Sequence, residues 1–262
     1  MADTPQPAAV AAPTICKLCH EDRELRQSHI VPEIVYKPLY NTRGKMLGIR
    51  ISERGTTAQL LQKGLRESLL CDACERHLNT HFEQPSQKAW RALAKMEDDT
   101  SFVSRIVQTD LGFEAVLLKG FDYASLKLFL LSILWRSGVS SRGEFQQVEL
   151  GPHEDRLRRM LLERDPGGVG DYPCMLFLMK QDFRGIHIPW LARFEGRVGY
   201  RFLLGRVLLW FLVTRGFESN RFIQAALTED GNWVAHMVER DGLPEFEAAA
   251  KMAESIDIPE RL

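Results

Sequence analysis

Two Cys-x-x-Cys pairs, Cys16/Cys19 and Cys71/Cys74, constrain this chain more than any other feature, because 51 residues separate them. Two residues between thiolates let both sulfurs reach one Zn²⁺ at about 2.3 Å, and each pair supplies half of a tetrahedral shell. Joined on one ion, the pairs shut a long loop and make a module of residues far apart in sequence. Four thiolates leave no open coordination position, so such a zinc is structural and is not itself a catalyst. Its binding can contribute on the order of 10 kcal/mol, enough to fold a module with a small core. Disulfides are the competing use of paired cysteines, and they need an oxidising compartment. Met1–Thr14 lacks a basic start and an apolar core, so it reads as a disordered tail and not as a secretory signal. The expected location is cytoplasmic, where thiols stay reduced.

The chemistry is unevenly spread. Four of the five cysteines and four of the seven histidines precede residue 85. The remainder is core-building sequence, with Cys174 in an apolar run as one more core residue. A content of 45% hydrophobic and 26% charged residues excludes a disordered chain. The formal net charge of -1 excludes a uniformly basic nucleic-acid binder, so any such contact is made by a local patch. Leu126–Trp135 and Phe202–Val213 are the most apolar runs, and both fall short of the roughly 20 residues that cross a bilayer. No membrane partner is expected.

These observations predict an α+β protein in three parts: a tail at 1–14, a zinc-stapled module at 15–85, and a body of helices and antiparallel sheet at 86–262. In the module, a short helix is expected within Ile34–Tyr40, a loop over Arg43–Lys63 with a strand near Met46–Ile51, and a helix from Cys74 that stops near Pro85. In the body, helices are expected at Gln87–Met96, Tyr123–Arg136 and Glu154–Glu163. Antiparallel strands are expected at Cys174–Lys180, Ile186–Phe194, Gly199–Leu204 and Val207–Val213, with tight turns at Glu195-Gly196 and Gly205-Arg206. Gly231-Asn232 could turn a late strand pair, and a helix over Pro244–Ser255 closes the chain.

Between the knuckles lies Ser28-His29-Ile30-Val31-Pro32, and the second knuckle runs on as Cys74-Glu75-Arg76-His77-Leu78-Asn79. A first knuckle, a His-Ile-x-Pro segment, then Leu-Leu-Cys-x-x-Cys and a helix resembles the zinc-knuckle branch of the HNH (ββα-metal) endonucleases. More narrowly, it is similar to bacterial HNH-like proteins with a Ser-His-Ile-x-Pro core. The resemblance covers about residues 15–85. It implies metal-dependent hydrolysis of phosphodiester bonds in nucleic acid, DNA before RNA. His29 would be the general base, a role suited to a side chain that titrates near neutral pH. A catalytic Mg²⁺ or Mn²⁺ would be held at the matching positions Ser28, Glu75 and Asn79, the last two one helical turn apart. His77 and His81 form an alternative metal pair on another face of that helix. The chain departs from the family at Ser28, where Asp or His is usual, and at Arg66-Glu67-Ser68, where an Asn that orients the histidine is usual. Glu67 or Glu83 could complete a rearranged site. The second function class is a catalytically impaired zinc module that binds nucleic acid or a protein partner. A homo-oligomer or a defence-system partner protein fits by analogy only.

Basic residues give a weaker signal. Near the module, Lys37, Arg43, Lys45, Arg50, Arg54, Lys63 and Arg66 are expected to surround the candidate site and suit a phosphate backbone. Arg156, Arg158 and Arg159 read as a solvated helix face. Arg193, Arg197, Arg201 and Arg206 read as outward charges on a half-buried sheet.

Overall fold

The knuckles stand at one end of a short antiparallel strand pair, β1 (Leu25–His29) and β4 (Arg66–Cys71), whose register sets Leu25 against Cys71 and His29 against Arg66. The structure is a computed structural model and describes residues 14–52, 55–95, 103–108, 114–180, 185–218, 223 and 225–239. A bulge between Arg26 and Gln27 offsets the pair by one residue. From Cys71 the chain turns directly into α2 (Asp72–Leu78), which is followed by a π-helical turn (Asn79–Glu83) and α3 (Gln84–Lys95). The helix therefore continues through Pro85 instead of stopping there. Proline lacks an N–H and clashes with the carbonyl four residues back, and the wider π turn just before it opens the ladder where that clash would fall.

Between β1 and β4 the chain makes α1 (Glu33–Tyr36), a 3₁₀ turn (Lys37–Leu39) and a hairpin of β2 (Lys45–Ser52) and β3 (Gly55–Gln62). The stretch expected to be a loop with one strand thus holds two. Backbone pairing of Lys45–Ser52 with Gly55–Gln62 overrides the weak periodicity of Gly55–Gln62.

Among the described residues the larger sheet has nine strands. In chain order its members after β3 are β5 (Val103–Gln108), β6 (Glu114–Leu118), β7 (Cys174–Met179), β8 (Gly185–Phe194), β9 (Arg197–Leu204), β10 (Val207–Leu212) and β11 (Trp233–Val238). Their order across the sheet is β3-β2-β8-β9-β10-β7-β11-β6-β5. The β2/β8 and β7/β11 pairs are parallel and the others antiparallel, so the fold is mixed α+β. The turn at Glu195-Gly196 has both residues at positive φ (47° and 78°), which suits the right-handed twist of a two-residue hairpin. Gly231 leads into β11, whose partners β6 and β7 are remote in sequence, so that turn does not make a hairpin. The expected helix at Pro244–Ser255 lies outside the described residues, as does the expected tail apart from Thr14.

Helix α4 (Tyr123–Val139) is buried without interruption from Leu126 to Ser137, and α5 (His153–Glu163) packs against it. One contiguous apolar core runs from Cys16 and Leu18, through Leu78, Phe82 and Trp90, to Phe129, Trp135, Phe202 and Trp233. The sheet is likewise continuous across residue 85, since β2 pairs with β8. Among the described residues no helix is long and apolar enough to cross a membrane.

The turn that delivers the chain to β4 is built from Lys63 and Gly64, both left-handed (φ 62° and 67°). A Cβ on Gly64 would meet the Tyr36 ring, which is fully buried and whose hydroxyl accepts from the Leu65 N–H at 3.3 Å. Gly64→Ala therefore combines backbone strain with overpacking. A loss of about 2–3 kcal/mol is expected, lowering Tm by roughly 5–10 °C with zinc content unchanged. A thermal melt beside a zinc assay checks this.

Candidate metal centre and the histidine beyond it

The first knuckle is a tight turn fixed by backbone bonds, and the second is the end of β4 running into α2. The Cys16 N–H donates to the Glu21 carbonyl, the His20 N–H to the Cys16 carbonyl, and the Lys17 N–H to the Leu69 carbonyl on β4, each at 2.9 Å. His20 pays for the reversal with a left-handed φ of 62°. The Cys71 N–H donates to Cys16 Sγ at 3.3 Å, and Cys19 Sγ lies 3.9 Å from Cys71 Sγ. All four sulfurs lie within 4.8 Å of one another. A tetrahedron with arms of about 2.3 Å has edges of about 3.8 Å, so the cluster fits Zn²⁺ with little adjustment. Donation from the Cys74 thiol pulls Cys16 down to about 4, the same contact drives Cys74 upward, and burial raises Cys19. Cys16 is thus the favoured thiolate beside Cys19 and Cys74, and a bound cation would replace the protons that those two thiols keep. Cys174 is buried apart from them.

At the other end of the pair, His29 is half-buried. Its Nε2 lies 2.9 Å from Arg66 Nε and 3.1 Å from the Lys63 carbonyl, while Arg66 Nε–H also reaches that carbonyl at 3.1 Å. A proton on Nε2 would oppose the Arg66 N–H. Nε2 thus faces a donor, Arg66 Nε–H, and an acceptor, the Lys63 carbonyl; in the tautomer with Nδ1 protonated its lone pair accepts from Arg66. Burial, then the Arg66 charge, hold His29 below the usual histidine range.

The other expected residues are placed as follows. Ser28 is buried; its hydroxyl accepts from the Leu70 N–H at 3.2 Å and donates to the Arg26 carbonyl at 3.4 Å. Successive strand residues point to opposite faces, so Ser28 faces inward while the His29 ring meets Lys63 and Arg66. Glu75, on α2, has Oε1 shut from solvent without a hydrogen-bond partner. Asn79 is exposed at the start of the π turn, one turn further on. His77 Nε2 donates to the Leu161 carbonyl at 2.9 Å, and Arg164 donates to His81 Nδ1 at 3.5 Å. The two rings stand 5.0 Å apart and are engaged by α5 and the residue after it. Among the described residues the four cysteines are the one group of three or more His, Cys, Asp or Glu side chains close enough to share an ion.

Glu67 and Glu83 are spent elsewhere. Glu67 accepts from the Ser140 and Ser141 hydroxyls at 2.6 and 2.5 Å, and from the Ser141 N–H. Glu83 accepts from Arg136 at 2.7 Å. Arg136 is the contact to the candidate site that sequence reasoning passed over. Its side chain is 1% exposed, and its second amino group donates to the His29 carbonyl at 3.0 Å. The signal was an arginine inside the apolar run ending α4. Of the basic residues read as outward charges, Arg201 stacks on Trp210 at 4.3 Å, Arg197 donates to Thr214 and Arg206 to the Met179 carbonyl.

No protein-family model, no curated protein and no solved structure matches this chain.

Two outcomes follow from these contacts. Cys71→Ser, or chelation of the metal, should unfold the β1–β4 region, read as loss of about one bound zinc per chain with a lowered Tm. Arg136→Met leaves the Glu83 carboxylate without its cation and should cost about 3–5 kcal/mol, whereas Arg136→Met with Glu83→Met should recover most of it. Denaturant melts of the three proteins give the comparison.

Proposed function

We propose that this chain is an endonuclease-like hydrolase of nucleic-acid phosphodiester bonds, with His29 as general base. The observation that carries this reading is the half-buried His29 ring, held below the usual histidine range, whose Nε2 lies 2.9 Å from the Arg66 guanidinium at the far end of the strand pair that the four cysteines close. A base that is neutral below the ordinary histidine range is ready to take a proton from water at neutral pH. The order strand, strand, helix around four clustered cysteines also supports it, as does the segment Ser28–Pro32.

For a divalent ion the fit is partial. The inward hydroxyl of Ser28 does not serve as a ligand beside His29. Glu75 is the expected ligand with an unmet demand, since a carboxylate oxygen shut from solvent without a partner suits a cation. Glu75, with Asn79, would hold Mg²⁺ or Mn²⁺, which when bound would neutralise charge on the scissile phosphate. The chain's own groups do the rest: His29 takes the proton of the attacking water, while Arg136 holds its carbonyl. The second reading is a zinc module that binds nucleic acid or a protein partner without cleaving. It is favoured by the inward Ser28 and by the commitment of Glu67 and Glu83.

Nicking of supercoiled plasmid in Mg²⁺, Mn²⁺ or EDTA separates the two. Wild type should nick in divalent metal, and His29→Ala should lose at least about 100-fold in rate with its zinc and Tm retained. Because burial depresses the His29 pKa, the rate should hold steady from pH 8 to below 6.5 and fall only in more acid solution, as the ring gains its proton. Unchanged nicking by folded His29→Ala removes His29 as base. Absence of nicking in every metal favours the binding module.

A further inference from the structure

We propose that Arg66 is both the cap on this base and its phosphate-binding residue: a bound phosphodiester draws the guanidinium off His29 and so uncovers the nitrogen that takes the proton. This rests on the reading of His29 as the base. Arg66 lies directly across from His29 in the β1–β4 register. Its main chain is fixed, because its carbonyl accepts from Arg142 at 3.2 Å and the following Glu67 is tied to Ser140 and Ser141. Its side chain is held only through Nε, whose single hydrogen is shared between the Lys63 carbonyl and His29 Nε2. Among the described residues its two terminal amino groups meet no acceptor and no carboxylate. Arg136, Arg142, Arg158 and Arg215, by contrast, each pair with an acid.

A guanidinium with its fork open, touching a neutral histidine, suits a phosphate: two parallel N–H bonds to two anionic oxygens are stronger than one shared bond to neutral acceptors. In the capped state Nε2 cannot accept a proton from water, since Arg66 already donates to its lone pair. Were the ring protonated there, two cations would face each other. With Arg66 on the phosphate, a water oxygen bonds to phosphorus and its proton passes to His29 Nε2. The bond from phosphorus to the leaving oxygen breaks, that oxygen is protonated by solvent, and His29 returns its proton to solvent. Atoms and charge balance with water as the only co-reactant.

The test uses the full-length, zinc-loaded chain with Arg66→Lys and Arg66→Ala, and two readouts. The first is kcat and KM on bis(4-nitrophenyl) phosphate in Mn²⁺. Arg66→Ala should lose roughly 10²–10³-fold in kcat/KM, and Arg66→Lys at least about tenfold, because an ammonium lacks the fork. The second needs no turnover: long-range ¹H–¹⁵N spectra of the His29 ring while a duplex DNA oligonucleotide is added in EDTA. In wild type the Nε2 resonance should move as the cap leaves; in Arg66→Ala it should start at the uncapped position and stay there. An Arg66→Ala rate equal to or above wild type, with unchanged melting, overturns the phosphate role. An Nε2 resonance unmoved by saturating DNA in wild type overturns the cap. A wild type that cleaves nothing but still shows the DNA-dependent shift removes hydrolysis and leaves Arg66 as a phosphate-responsive contact.

Discussion

Four cysteine sulfurs lie within 4.8 Å of one another at one end of the β1–β4 pair, and a cation that balanced the charge their deprotonation creates would tie that pair shut. The pair has only five residues in one strand and six in the other, too little to persist alone in water. Closing the knuckles fixes more than proximity. Side chains alternate along a strand, so a slip of one residue would exchange the positions of Ser28 and His29. The cysteine cluster at one end and the bulge between Arg26 and Gln27 together determine that Ser28 is inside and the His29 ring is at Arg66.

The opposite end of the pair is held by the body. Arg136 reaches out of the most buried helix to the His29 carbonyl and to Glu83 on the π turn, and Glu67 caps the chain where that helix ends. Arg158 on α5 donates to the Leu18 carbonyl at 2.9 Å, which ties the first knuckle to the same body. The position of His29 is thus set from three sides, and the hairpin β2–β3 joins the large sheet through β8. Covalent order suggests a small module followed by a large body. The packing makes them share one core.

What could be read beforehand follows the range of each interaction. The four cysteines were legible because metal geometry is encoded in local spacing, and β7 to β10 because apolar runs alternate with turn residues. Strand β3 was not legible: Gly55-Thr56-Thr57-Ala58-Gln59 carries no strand-like alternation, and its pairing with β2 supplies the order. Pro85 misled because a π turn, invisible in composition, absorbs it. Ser28 and Glu67 looked like site residues by position in a motif. Their side chains are used by Leu70, Ser140 and Ser141, contacts that depend on a bulge and on a helix end some 70 residues away.

Arg66 stands where the resemblance leads one to look for an amide, and the exchange has a definite electrostatic meaning. An amide beside a histidine orients the ring at no cost to its proton affinity. A guanidinium orients it and at the same time opposes its protonation. On the proposed reading, a site built with an amide is a base at all times, whereas a site built with Arg66 is a base only when something more attractive occupies the cation. An anion is the one kind of ligand that satisfies that condition, so the departure at residue 66 makes the state of His29 depend on the charge of what approaches it.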